Sequence, residues 1–305
     1  MQRKGKAVLL CVLLTFSLLL GTARADMGPK PSVQIGFSGS LDEPCYGTLL
    51  SAYDSTGPYS AWDGTEADAR HNGNPEYSYC SWDYELWKAF ADFEDEDGYY
   101  FLQLIWRCDE TKKLEWSYHP PGEFKILLYF PESNTYAVSD SLEQYAFDSY
   151  FQVDLTDFEH ASEAGGIAKL ASVKRSYRFG WELTSLLVRI VLTILIELGL
   201  AVVFYGRGAR RTLKLIAWVN AATQIGLNVF LNVMHFREGD LAFVLYYIPL
   251  EIFIFLAEAA VYSNTIPRFE EAKSGPGTAV AYAFFANAAS FAAGMLLAVW
   301  IPGIF

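Results

Sequence analysis

The chain has 305 residues, room for two modest domains, and a formal net charge of −12 at pH 7. The acid lies on one side: residues 26–180 hold 27 Asp and Glu against 11 Lys and Arg, whereas residues 181–305 hold 8 of each. Such a field repels nucleic-acid phosphates, so no nucleic-acid partner is expected; it suits cations or basic partners, or serves only to keep an exported domain soluble.

The first 25 residues read as a secretory signal peptide. Arg3, Lys4 and Lys6 form a basic start, Ala7 to Leu20 an apolar run, and the stretch ends in Ala-x-Ala at Ala25. An uncleaved anchor is the other reading, and in both the next segment starts outside the cytoplasm. Cleavage removes Cys11 and leaves Cys45, Cys80 and Cys108 where disulfides persist. Their spacing matches no zinc pattern, and the sequence does not choose a pair.

Residues 26–180 read as one exported, β-rich α+β domain of sandwich-like build. Pro31 to Ser38 alternates, with Val33, Ile35 and Phe37 on one face. Tyr46 to Tyr53 is a second strand, followed by a Gly-, Asn- and Asp-rich loop over Asp54 to Glu76. Trp82 to Phe93 has helical periodicity, and Tyr99 to Arg107 (YYFLQLIWR) reads as one long strand. Leu114 to Tyr118, Glu123 to Phe130, Thr135 to Ser139 and Tyr145 to Leu155 complete the set. Tyr53 to Trp62 carries aromatic rings that suit either a sugar or ordinary loop packing. The acidic stretch Asp92 to Gly98 resembles a calcium loop, but the alignment puts Phe93 and Leu104 where oxygen ligands are needed.

Residues 181–305 read as an all-α four-helix transmembrane bundle, with runs at about 183–205, 213–234, 241–262 and 279–300. The basic loop Arg207 to Lys214 places its side in the cytoplasm, so the chain is read as a multi-pass cell-membrane protein with residues 26–180 outside. Lys174, Arg175 and Arg178 oppose that orientation, and the signal peptide is expected to override them.

The segments DMGPKPSV, EFKILLYFPES, YAFDSYFQVDL and IPGIF resemble an uncharacterised family of bacterial membrane proteins. The resemblance implies a signal peptide, an exported domain of this size and four membrane helices. It implies no activity, cofactor or catalytic residue.

Polar side chains recur inside the apolar runs. Asn220, Gln224, Asn228 and Asn232 form a slanting stripe at four-residue spacing, with Thr223 beside it. Arg189, Thr193 and Glu197 repeat the device, Glu251 and Glu258 share a face, and Asn287, Ser290 and Gly294 share another. A carboxylate facing lipid costs at least a few kcal/mol, so these groups are expected to face one another. The candidate binding cluster is therefore Arg189, Glu197, Gln224, Asn228, Glu251, Glu258 and Asn287. Pro249 is expected to free a backbone carbonyl near Glu251. The cluster suits either interhelical hydrogen bonding or a cation or proton site.

His71, His119, His160 and His235 have no metal spacing, and no catalytic motif occurs, so no enzyme, metal site or cofactor is expected. Two functions remain. One is an extracytoplasmic, sensor-like binding domain anchored in the bilayer, engaging a ligand or other membrane subunits. The other is a small ion- or proton-coupled transporter or channel using the intramembrane carboxylates.

Overall fold

A computed structural model describes residues 28–39, 43–65, 84–177, 179–270 and 274–300. The expected signal peptide, Cys80, His71, Arg178 and the C-terminal tail lie outside the described residues.

The β-rich half contains β1 (Ser32–Ser38), β2 (Tyr46–Ser51), β3 (Ser55–Thr56), β4 (Tyr59–Ser60), α1 (Tyr84–Ala91), β5 (Tyr100–Phe101), β6 (Trp106–Arg107) and α2 (Cys108–Thr111). It continues with β7 (Lys113–Trp116), β8 (Glu123–Phe130), β9 (Thr135–Ser139), β10 (Leu142–Glu143), β11 (Asp148–Asp154), β12 (Ile167–Leu170) and β13 (Val173–Arg175). One sheet has the order β13–β11–β1–β7; the other runs β12–β9–β8–β2–β5, with β10 and β6 alongside, and β3 and β4 form a separate small hairpin. Both larger sheets are mixed: β1 lies parallel to β11, Ser32 opposite Asp148 through Ser38 opposite Asp154, and β12 lies parallel to β9.

The alternation in β1 has the expected consequence, since Val33, Ile35 and Phe37 all point into the core. Strand β8 is buried on both faces because it is central. Its Phe124, Ile126, Leu128 and Phe130 meet Val33, Ile35, Trp116 and Phe151 of the first sheet. Its Leu127 turns the other way, into a second core with Leu86, Trp87 and Phe90 of α1. The rings of the 53–62 loop pack inward: Tyr59 meets Trp116 edge-on and Trp62 meets Trp87.

One strand is a correction. YYFLQLIWR is not continuous but splits into β5 and β6, with Gln103 between them at φ 63. Both pieces pair with β2: Phe101 lies opposite Leu50 and Trp106 opposite Gly47. The first strand therefore spends more residues than β2 over the same length, as a bulge requires, and the left-handed turn at Gln103 absorbs the excess. The short strands β12 and β13 were not expected at all.

The helical half contains α3 (Phe179–Tyr205), α4 (Arg210–Thr265) and α5 (Pro276–Trp300). Two helices, α3 and the stretch Arg210–Arg268, are long and apolar enough to cross a membrane. Their outward faces are apolar: Leu195, Val203 and Trp218 are 62%, 78% and 76% exposed.

Helix α4 covers two of the expected runs because its interruption is a single residue, Gly239, at φ 80 and ψ −175. The halves fold back on each other there. Phe230 meets Tyr246, the Thr223 side chain reaches Glu258, and Ile216 shares a core with Tyr262 and Ile266. Pro249 does not break the helix, since Gly239 alone leaves helical geometry within α4. A proline removes one backbone bond, which neighbouring elements can tolerate, whereas a left-handed glycine redirects the chain.

The two halves of the molecule meet at that reversal. The Phe147 amide donates to the Phe236 carbonyl at 2.8 Å. The Phe147 ring covers Gly239 so closely that a Cβ there would sit 2.5 Å from it. Tyr177 donates its hydroxyl to Glu182, His235 lies 2.9 Å from Asp240, and Tyr177 packs against Phe236.

Candidate functional site

Three helices and one reversal bring the predicted polar residues to a common interior. Glu197 on α3 and Glu258 on α4 are both fully buried. Glu258 is well supplied with donors: the Thr223 hydroxyl lies 2.7 Å from Oε1 and the Asn287 amide donates to Oε2 at 2.8 Å. Glu197 is poorly supplied. The Ser290 hydroxyl lies a long 3.4 Å from its Oε1, and Oε2 has no hydrogen-bond partner among the described residues. The Tyr282 hydroxyl donates to the Glu197 backbone carbonyl at 3.1 Å.

Other buried polar atoms around this pair are also orphaned. Both amide atoms of Asn220, Oδ1 of Asn287 and the Tyr262 hydroxyl have no partner among the described residues. Small side chains let the helices come close enough for this: Ala201, Ala259, Ala283 and Ala286 are buried between them.

One turn away lies a cleft of about 20 Å³, bounded by Arg189, Gln224, Asn228, Tyr247, Glu251 and Ser290. That volume admits roughly one water. Arg189 lines the cleft together with Asn228 and Glu251, and its guanidinium stands 5.9 Å from the Phe243 ring centre. Glu251 is half-buried at the cleft edge. Asn228 does not cross to another helix; its amide donates to the Gln224 backbone carbonyl at 2.8 Å.

Of the predicted cluster, Glu197, Glu258 and Asn287 belong to the deep group, and Arg189, Gln224, Asn228 and Glu251 to the cleft. The candidate cluster leaves out Asn220, Thr223 and Ser290, which the sequence marks as polar residues in the apolar runs, and Tyr282, which that reading passes over; all four supply or face its hydrogen bonds. Their signal was present: each is a polar atom on a face shared with a carboxylate or among alanines.

The β-rich half has its own cleft, of about 330 Å³, lined by Phe93, Asp95, Asp97, Lys125, Ser139 and Lys169. Lys125 bridges the acidic stretch, at 2.8 Å from Asp95 and 2.5 Å from Asp97. Its ammonium thus stands among the carboxylates that suggested calcium. Burial opposes the charge on Lys125, but the hydrogen bonds it donates to Asp95 and Asp97 outweigh it and raise its pKa. At the junction, burial and the Glu182 carboxylate hold the Tyr177 phenol above its ordinary range. No group of His, Cys, Asp and Glu suited to a metal occurs among the described residues.

No protein-family model, no curated protein and no solved structure matches this chain.

Proposed function

We propose that this is a multi-pass membrane protein with four spans, two of them the halves of α4. Its β-rich domain lies outside the cytoplasm and binds a ligand or partner. Its helical half anchors that domain and senses its state. The observation that carries the reading is the join at Gly239. A backbone hydrogen bond and the close contact of the Phe147 ring with Gly239 tie the loop before β11 to the reversal of α4. The same helix carries Asn220, Gln224 and Asn228 into the buried cluster. A movement of the domain therefore has a short mechanical route to the polar interior. The cleft beside Lys125 is where such a domain offers charged and apolar groups together. The resemblance to bacterial membrane proteins with an exported domain supports the same layout. A second reading, movement of a proton or cation, rests on the orphaned oxygens around Glu197.

The orientation is tested with reporter fusions after Arg211 and within the β-rich domain after Asp154. They should report opposite sides, and matching sides would overturn the layout. The join is tested by hydrogen exchange of the full chain in lipid nanodiscs. Phe147→Ala should speed exchange of the amides from Asn220 to Asn232 as well as those of the reversal. Faster exchange confined to the reversal would reduce the helical half to an anchor.

A further inference from the structure

The two buried carboxyl groups are not equivalent, and the difference lies in their donors. Glu258 accepts from Thr223 and from Asn287, one donor on each oxygen. That is the surrounding of an ionised carboxylate, which is an acceptor only. Glu197 has one long contact from Ser290; the Asn220 amide stands beside it but makes no hydrogen bond of good geometry, and Oε2 has no such partner among the described residues. A buried anion with so few donors is expensive, and a neutral acid is not. A neutral acid also has something to give. Asn220 lies beside Glu197. Its Oδ1 is a fully buried acceptor with no partner among the described residues. A hydrogen on Glu197 Oε2 directed at Asn220 Oδ1 would satisfy both orphaned atoms at once.

The proton would also have a way out. Ser290 touches Glu197 and lines the cleft that holds roughly one water. Glu251, half-buried, stands at that cleft. The groups facing Glu197 from the other elements are Glu258, Glu251 and Tyr262 on α4, and Tyr282 and Ser290 on α5. Arg189 lies on the same helix but eight residues away, about 12 Å along the axis, with its guanidinium near Phe243.

We propose that Glu197 is a reversible proton-binding site, exchanging its proton through Ser290 with the cleft at Glu251, while Glu258 remains the anion. In the step, the O–H bond of the Glu197 carboxyl breaks. Because Ser290 stands at Oε1, the carboxyl first turns about its Cγ–Cδ bond to bring the protonated oxygen to Ser290, whose hydroxyl takes that proton on its oxygen and passes its own to a water entering the cleft. Glu197 is left as a carboxylate and the water as hydronium. No oxidant, metal or further reactant enters. This inference deepens the second reading above, the movement of a proton at the buried carboxyls, and stands apart from what the β-rich domain binds.

The test uses the full chain in lipid nanodiscs, titrated with pH and followed by infrared difference spectroscopy. The carbonyl band of a protonated carboxyl should be present at low pH and disappear as pH rises. Glu197→Gln should abolish it and Glu258→Gln should keep it. A band untouched by Glu197→Gln, or no band at all, overturns the proposal. So does a band lost on adding sodium ions at constant pH, which would make the site one for an alkali cation. If Glu197→Gln does not fold, the wild-type chain decides by itself. A hydrophobic carbodiimide attacks protonated carboxyl groups, so peptide mapping should find the label on Glu197. The label should fall about tenfold per pH unit above the midpoint. Label on Glu258 alone, or none, overturns the assignment.

Discussion

The two halves of this molecule are built inside out relative to each other. In the β-rich half the largest buried side chains are apolar, Trp116, Phe90, Phe124 and Phe130 among them. Most of its charges, Lys88, Asp92 and Arg107 for example, are solvated, and the buried Lys125 is paired with Asp95. In the helical half the outward face carries Leu195, Val203, Trp218 and Phe253, while Glu197, Asn220, Gln224 and Glu258 are inside. On the membrane reading proposed above, one chain applies one rule to two surroundings. Each half turns outward what its surroundings tolerate, and backbone and side-chain polar groups turn inward only where they find one another.

The largest effect that sharpens this comparison is a cavity in the β-rich half. Trp116 is almost fully buried, meets Tyr59 and Trp106, and donates its indole N–H to the Tyr118 carbonyl at 2.9 Å. Trp116→Ala should lower the stability of that half by about 3–5 kcal/mol. Chemical denaturation followed by tryptophan fluorescence measures it. A loss below about 1 kcal/mol would mean that the core closes without this ring.

How much of this was legible in the sequence follows from which forces act locally. Strands β8 and β9 fall where the alternation and turn residues place them, because their signals are carried by the residues themselves. The split of YYFLQLIWR does not, because it depends on matching a shorter partner strand. Strands β12 and β13 are short, IAKL and VKR, and mostly exposed, and owe their pairing to neighbours distant in sequence. In the helical half, periodicity identified the polar faces, since a helix has one spacing. It could not identify partners. Thr223 reaches Glu258 only because the chain reverses at Gly239, and Asn228 turns back onto its own helix.

The next largest effect breaks the comparison if it fails. Leu195 and Glu197 are two residues apart on α3, one 62% exposed and the other fully buried. Leu195→Asp puts a carboxylate on the outward face near the middle of the helix. In a bilayer this should cost about 2.5–3.5 kcal/mol of insertion. Tyr53→Asp, at a position 67% exposed in the β-rich half, should change stability by less than about 0.5 kcal/mol. Membrane insertion of the first variant and thermal unfolding of the second provide the two readings. If Leu195→Asp inserts as well as the wild type, the outward face of α3 meets water or protein and the inside-out contrast is lost.

The smallest effect asks what the inward polar groups contribute. Asn287 gives its amide to Glu258 at 2.8 Å and to the Ala283 carbonyl at 3.0 Å, while its own Oδ1 has no partner among the described residues. Asn287→Leu keeps the size of the side chain and removes the donor. Interhelical hydrogen bonds in membranes are worth about 0.6 kcal/mol on average and less than about 2 kcal/mol at most. The variant should therefore lose about 1 kcal/mol of stability, measured by denaturation in mixed micelles. The loss should fall further in the double variant Asn287→Leu with Glu258→Gln, because the carboxylate that needed the donor is then gone. Equal losses in the single and double variants would show that Asn287 acts by packing alone. The donor asymmetry between Glu258 and Glu197 would then have to rest on Thr223. A loss several times larger would show that the Glu258 anion depends on this one amide, as an acceptor buried away from water does when no other donor can reach it.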